Sequence, residues 1–271
     1  MLSRHQLLSL FLLLALSSLP LPAQNSDQLQ VAQVAPPPLH RVEPPSPEAT
    51  AEALEQRGDQ LQAEKNYLDA IDYHRAALSK KPGSASLLNR IGISQLQLRR
   101  YREARKSFEQ ALKTDRNYAN AYVNLGVVYY EDRSYGKAIK FYDKAIALQP
   151  DNAVFYNNRG AAYFNKRQFE KATLDYAKAL ELDPDIFETS GRAGVQAQVP
   201  SPEDRARYAY VLAKLYAKMG ENERSLHYLR KAMEDGYKDI KNVYKDNEFS
   251  ALRKDPRFAE LMAAKPPAIP E

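Results

Sequence analysis

Side chains that could perform catalysis are few and far apart in this sequence of 271 residues. The four histidines, His5, His40, His74 and His227, are isolated from one another, and there is no cysteine. Disulfides, thiol chemistry and thiolate metal sites are therefore excluded. The motifs of zinc hydrolases, serine hydrolases, dinucleotide sites and phosphate-binding loops do not occur either. We therefore expect no cofactor, no metal and no enzymatic activity.

Charged side chains give no better candidates for acid–base catalysis, because the two signs are interleaved. The chain has 39 Lys and Arg against 34 Asp and Glu, which gives a net charge of +5. A representative segment carries Lys137, Lys140, Asp143 and Lys144. No carboxylate pair stands out, and neither does a basic stripe with interleaved aromatic residues. This pattern is typical of solvated helix faces and predicts no nucleic-acid partner.

The elements that carry these residues are helices, as the segment 121–152 shows. Tyr122, Leu125 and Tyr129 recur at i, i+3 and i+7, which is the spacing of one face of a helix. The same spacing continues in a second helix with Tyr135, Ala138, Ile139, Tyr142, Ala145 and Ile146. Pro150 ends that helix, because proline has no N–H to donate and its ring clashes with the preceding turn. The segment therefore predicts a helical hairpin.

This hairpin repeats with a period of 34 residues. Matching landmarks place four copies at about 51–84, 85–118, 119–152 and 153–186. The register breaks over 187–200, and a degenerate fifth copy spans 206–239 if about 19 residues are inserted ahead of it. Inserts of this length are usually either functional or mobile. Fixed periods of this kind are the signature of solenoids, in which each unit buries its core against its neighbours.

The landmarks of the third copy identify a family that the chain resembles. They are Tyr122, Leu125, Gly126, Tyr129, Ala138, Tyr142 and Pro150, and this order resembles the tetratricopeptide repeat family, in an exported bacterial form. The resemblance implies an all-α protein: an α-solenoid of stacked helical hairpins in a right-handed superhelix, over 46–264, with a helical cap at 240–264. Three departures are the absence of tryptophan, Arg116 in place of the closing proline, and His74 in place of the second-helix aromatic.

The ends of the chain have a different composition. Residues 1–23 combine Arg4 with a leucine-rich run and predict a signal peptide, because about ten apolar residues reach only ~15 Å, half of a bilayer core. Residues 24–45 are rich in proline and glutamine and predict an extended linker. Ser46, Pro47 and Glu48 predict the start of the first helix. We therefore expect an exported protein, in the periplasm or extracellular, that touches a membrane only if the signal peptide is not cleaved.

The C-terminal part of the chain is expected to close the solenoid. Ser201 to Asp204 have the residue types of a helix N-terminus, which predicts the first helix of the fifth hairpin. The apolar side chains expected to cover the last repeat are Val243, Phe249, Leu252, Phe258, Leu261 and Met262. Residues 265–271 are expected to form a tail.

The resemblance also implies where a partner would bind. In this family the first helix of each hairpin lines a concave groove, and the matching positions with the clearest binding chemistry are Asn89, Arg90, Leu96, Asn120, Asn124, Tyr130, Asn157, Asn158, Phe164 and Asn165. Asparagine offers both a donor and an acceptor to a peptide backbone, as Asn124 and Asn158 would in equivalent positions. Leu96, Tyr130 and Phe164 would offer apolar surface to its side chains. An alternative is that Tyr130 and Phe164 pack between repeats.

The sequence therefore predicts a non-enzymatic interaction module of the cell envelope with a protein or peptide partner. A cationic clamp for a C-terminal carboxylate fits poorly, because Arg90 has no basic counterpart at the matching positions of the next two repeats. The alternative function is a structural subunit of an envelope assembly that docks through its convex face or through the insert at 187–200. Nothing in the sequence predicts the oligomeric state.

Overall fold

The computed structural model describes residues 42–188 and 201–264, and within these ranges the chain is helical, with no strand. The helices, in chain order, are α1 (Ala51–Ala63), α2 (Tyr67–Lys80), α3 (Ala85–Gln97), α4 (Tyr101–Thr114), α5 (Ala119–Glu131), α6 (Tyr135–Leu148), α7 (Ala153–Asn165), α8 (Phe169–Leu182), α9 (Pro202–Met219), α10 (Asn222–Glu234) and α11 (Pro256–Ala264). Three short 3₁₀ turns lie between α10 and α11, at Ile240–Tyr244, Asn247–Phe249 and Leu252–Lys254. Consecutive helices pack against each other as hairpins, so the prediction of an α-solenoid with a helical cap is confirmed.

Each hairpin turns at one residue with a left-handed backbone. In the first four hairpins this residue is Lys65, Arg99, Arg133 or Arg167, with φ between 55° and 64°, and in the fifth it is Gly220 with φ 82°. The next residue closes the turn by donating its backbone N–H to the last turn of the helix, as Arg100 does to the Gln95 carbonyl oxygen at 2.8 Å. A left-handed conformation costs a non-glycine residue about 1–2 kcal/mol. The cationic side chain offsets part of this cost, because it lies at the negative end of the helix dipole.

Within each of the first four hairpins, the two helices meet at a glycine and a ring. The pairs are Gly58 with His74, Gly92 with Phe108, Gly126 with Tyr142 and Gly160 with Tyr176. A Cβ atom on Gly92 would lie 2.5 Å from the Phe108 ring, closer than any real contact of this kind. The ring therefore lies flat against the first helix only because the glycine has no side chain. All four rings are fully buried.

The fifth hairpin replaces this contact with a smaller one. Ala213 occupies the glycine position, and Leu229 occupies the position of the ring. The Ser225 hydroxyl donates a hydrogen bond to the Ala213 carbonyl oxygen at 2.8 Å. The two helices of this hairpin are therefore joined by a hydrogen bond where the other four have a glycine against a ring.

The two helix starts predicted from the sequence have different outcomes. The first helix of the fifth hairpin begins as predicted: the Ser201 side chain accepts from the backbone N–H of Asp204, and Pro202 is the first helical residue. The first helix of the solenoid begins later than predicted. Thr50 caps it, and the Ser46 carbonyl oxygen instead accepts in a preceding turn from the N–H of Ala49.

The cap covers the last first helix, α9. Val243, Phe249 and Leu252 are fully buried, and Phe258 and Leu261 are nearly so. The Tyr210 ring of α9 stacks on Tyr237 at 4.3 Å and also contacts Phe249. The 3₁₀ turns therefore take the place that the next first helix would occupy in a longer solenoid.

Several predictions concern residues outside the described ranges. These are the signal peptide at 1–23, the linker at 24–45 except its last four residues, the insert except Phe187 and Glu188, and the tail at 265–271. Phe187 packs edge-on against Tyr176 and Tyr208. Within the described part of the chain, no helix is both long and apolar enough to cross a membrane.

Two glycine-to-alanine substitutions would test the contact between glycine and ring. Gly126→Ala should lower the free energy of unfolding by about 1–3 kcal/mol, because the new methyl group displaces the Tyr142 ring. Gly136→Ala is the matched control in the same hairpin, since the nearest atom to its Cβ is the Lys166 Nζ at 3.7 Å. This control should raise the free energy of unfolding by about 0.5 kcal/mol. Urea denaturation followed by circular dichroism measures both, and equal effects of the two substitutions would contradict the proposed contact.

Candidate functional site

The first helices of neighbouring hairpins are joined by polar side chains. Asn124 donates its amide N–H to the Asn89 Oδ1 at 2.8 Å, and Asn165 donates to the Tyr130 hydroxyl at 2.7 Å. In both pairs the partners are 35 residues apart, one repeat plus one residue. The Arg90 guanidinium makes an equivalent contact with Glu55, again over 35 residues. These pairs fix how each first helix lies against the next one.

We call the ten residues predicted to line the groove the first-helix face; they are Asn89, Arg90, Leu96, Asn120, Asn124, Tyr130, Asn157, Asn158, Phe164 and Asn165. The structure brings them together along α3, α5 and α7, but it buries half of them. The buried members are Asn89, Tyr130, Asn157, Asn158 and Phe164, each at most 4% exposed. Burial does not test whether the face binds a partner, but it determines which side chains a partner could reach.

The two aromatic residues of the face belong to the core. The Tyr130 ring packs edge-on against Tyr135 at 5.3 Å. Phe164 packs in the same way against Phe169 and Tyr208. The expectation that these rings offer apolar surface to a ligand is therefore wrong. The alternative, that they pack between repeats, holds for Phe164 through Tyr208 and for Tyr130 through its hydrogen bond with Asn165. Helical spacing alone could not distinguish contact with a ligand from packing between repeats. Both interpretations place the ring on the side of the helix that faces the next first helix.

The asparagines also differ from the expected arrangement. Asn124 and Asn158 occupy the same repeat position, but Asn124 is half-buried whereas Asn158 is 1% exposed. The hydrogen bonds of Asn124 and Asn165 described above use their amide N–H groups. Their carbonyl oxygens can still accept from a ligand. The asparagines that a partner can reach are therefore Asn120, Asn124 and Asn165.

The reachable part of the face has little charge. Asn120 is exposed, and Leu96 and its neighbour Ile93 are half-buried. Arg90 is the one cation among the ten residues, and Asp59 accepts from its Nε at 3.1 Å. Because Glu55 and Asp59 already neutralise Arg90, this residue does not form a free clamp for a carboxylate.

Sequence reasoning missed the charged network around His74. This side chain is fully buried against Gly58, and its Nε2 lies 3.1 Å from the Asp59 Oδ1, which also faces Arg90. Burial lowers the pKa of His74 from its ordinary value of 6.5, and this outweighs the opposing effect of Asp59. The ring is therefore neutral near pH 7 and donates from Nε2 to the carboxylate. The signal in the sequence was His74 at a position that is aromatic in the next three hairpins.

A second network joins α7 to both neighbouring second helices. Arg159 forms a two-pronged pair with Asp175 at 2.7 and 2.8 Å and contacts Asp143 at 2.8 Å. These hydrogen bonds and charges raise the pKa of Arg159, so it stays charged at any working pH. Neither network includes a serine, threonine or cysteine side chain. Within residues 42–188 and 201–264, no group of three or more His, Asp or Glu side chains could hold a metal ion.

Comparisons with known proteins agree with this architecture. Models of the tetratricopeptide repeat match residues 89–153, 153–186 and 206–234. A search of curated proteins found no match. The structure resembles PilF of Pseudomonas aeruginosa, with 19% identity, 79% of this chain and 88% of PilF covered, and a TM-score of 0.52. It also resembles a thermophilic TPR protein of Thermus thermophilus, with 22% identity, 79% and 100% covered, and a TM-score of 0.50. At these identities the likeness shows the fold alone.

The buried histidine predicts a pH dependence of stability. Because the pKa of His74 is lower in the folded chain than in the unfolded one, its contribution to stability is fully present above about pH 6.5 and is lost as pH falls below that value. His74→Phe copies the ring of the second hairpin, Phe108, and should remove this part of the pH dependence. Urea midpoints between about pH 7 and about pH 5 measure the effect. Identical slopes for the two proteins would contradict the assignment.

Proposed function

This chain is a tetratricopeptide repeat protein, a protein–protein interaction module, and we propose that it works without catalysis in the cell envelope, holding a segment of a partner protein on its first-helix face. The observation that carries the proposal is a line of accessible, mostly uncharged side chains on three consecutive first helices. These side chains lie beside the buried members of the same face, Asn89, Tyr130, Asn157, Asn158 and Phe164. The envelope location rests on the signal-peptide pattern of residues 1–23.

The buried side chains of the first-helix face would support binding by keeping the accessible residues in place. Tyr130 and Asn165 are hydrogen-bonded across two repeats, and Asn89 holds the Asn124 amide in the same way. A side chain fixed by such bonds loses little conformational entropy when a ligand binds. The carbonyl oxygens of Asn124 and Asn165 then accept from backbone N–H groups of the partner, and Leu96 contacts an apolar side chain.

Such contacts favour an extended or helical partner segment, which the face would bind with moderate sequence specificity. Backbone groups occur in every sequence, so hydrogen bonds to them do not select side chains. Selection comes from Leu96 and Ile93, which accommodate an apolar residue, and from the neutral surroundings, which disfavour a desolvated charge. The predicted partner segment is therefore uncharged where it crosses α3 and α5.

Site-specific photo-cross-linking would test the proposal. A photoreactive amino acid at Asn120, which is exposed on α5, should give an adduct with the partner in cells that make the protein. The same amino acid at Leu174, which is 71% exposed on α8, is the matched control and should give none. Leu96→Ala combined with Asn124→Ala should reduce the Asn120 adduct at least about fivefold, since each lost contact is worth about 1 kcal/mol. Adducts from Leu174 but not from Asn120 would contradict the proposal and support docking through the convex face.

A further inference from the structure

The net charge of the chain is concentrated in its second repeat. Residues 85–118 contain eight Lys and Arg and three Asp and Glu, whereas the rest of the chain contains 31 of each sign. The interleaving of charges noted for the whole sequence therefore does not hold within this repeat. Most of the excess lies on and around α4, the second helix of the repeat.

Five of these cations form what we call the cationic face, defined by Arg99, Arg102, Lys106, Lys113 and Arg116. All five are exposed. Ala104, Phe108 and Ala111 are the buried residues of α4, so the stripe of Arg102, Lys106 and Lys113 lies on the opposite side of the helix. The cationic face is therefore separate from the first-helix face.

These cations have no carboxylate partners, whereas several cations elsewhere in the chain form ion pairs. Within the described part of the chain, none of the five forms an ion pair. By contrast, Arg159 pairs with two aspartates, Arg224 pairs with Asp185, and Lys214 contacts Asp246 and Glu248. The positive charges of these five side chains are therefore compensated only by solvent.

The arrangement also costs stability. Arg102 and Lys106 are four residues apart on one helix, where like charges repel. Arg102 and Arg100 lie in or beside the first turn of α4, where the helix dipole disfavours cations. Features that lower stability in the folded chain are typical of surfaces that bind a ligand.

We propose that the cationic face binds an acidic segment of a second polypeptide. Arginine and lysine side chains bind carboxylates through charge-assisted hydrogen bonds. Four of the eight cations of this repeat lie between Arg99 and Arg105, so this end of α4 can engage several carboxylates at once. The interaction adds to the function of the first-helix face and does not depend on it.

Other anionic partners fit the face less well. Insertion into a membrane surface needs apolar side chains beside the cations, but the large exposed apolar residues, Leu148, Leu174, Met219 and Tyr244, lie on other elements. Glu103 and Glu109 are exposed on α4 among the cations. A nucleic acid carries a phosphate on every nucleotide and cannot avoid these two carboxylates. An acidic polypeptide can place an uncharged residue opposite each of them.

A triple substitution would test the proposal. Arg102→Gln/Lys106→Gln/Lys113→Gln removes three charges at positions where glutamine is an equally good helix former. The control is Lys218→Gln/Arg230→Gln/Lys238→Gln, which removes three exposed cations from the fifth repeat. The probe is a fluorescent peptide of about twelve residues with alternating glutamate and serine, measured by anisotropy at low and physiological salt. The α4 variant should bind the peptide at least about tenfold more weakly than the unmodified protein, and the control within about twofold.

The melting temperature and the binding of other anions test the proposal further. Without peptide, the double variant Arg102→Gln/Lys106→Gln should have a higher melting temperature than the unmodified protein, because the repulsion between these two residues is relieved. A lower melting temperature would show that the two cations serve the fold, and would overturn the proposal. An oligothymidylate and vesicles of phosphatidylglycerol are tested in parallel. Tighter binding of either, lost in the α4 variant only, would assign the face to that anion instead. Equal loss of peptide binding in both variants, or self-association of the protein as the source of the signal, would also overturn it.

Discussion

The close approach of a glycine backbone to a buried ring is the contact on which the rest of the structure depends. It recurs in four hairpins, and it sets the distance between the first and second helix in each. Because the ring comes from the second helix, it also fills the space beneath the first one. The two helices of a hairpin therefore behave as one unit, and only the contacts between hairpins decide how the first helices line up.

Those contacts use polar side chains, which has consequences for binding. The links Asn89–Asn124 and Tyr130–Asn165 join residues that are one repeat plus one residue apart, so the stacking is set by specific hydrogen bonds as well as by apolar contact. The amide N–H groups of Asn124 and Asn165 are thereby withdrawn from a ligand, whereas their carbonyl oxygens can still accept hydrogen bonds. The fold therefore divides its surface: an almost uncharged first-helix face on α3, α5 and α7, and a charged second-helix surface that is most basic on α4.

The fold could be predicted from the sequence because its landmarks recur every 34 residues and each has a local physical reason. Gly126, Tyr142 and Pro150 imply a close approach, a filling ring and a helix end without reference to any other repeat. The burial of Tyr130, Phe164 and the asparagines could not be predicted in this way, because it depends on how closely one first helix packs against the next. The network of His74 was missed because the sequence pattern does not show which side chains of the first helix lie beside the buried ring. The start of the first helix at Thr50 was missed because Ser46 and Thr50 are both suitable N-cap residues.

Hydroxyl-radical footprinting tests most directly whether a partner is held on the first helices, because it measures the solvent access of individual side chains. With the bound partner present, Ile93 and Leu96 should lose most of their reactivity, whereas Leu148 and Leu174, which are exposed on second helices, should keep theirs. Protection of Leu148 and Leu174 with unchanged reactivity at Ile93 and Leu96 would contradict the account.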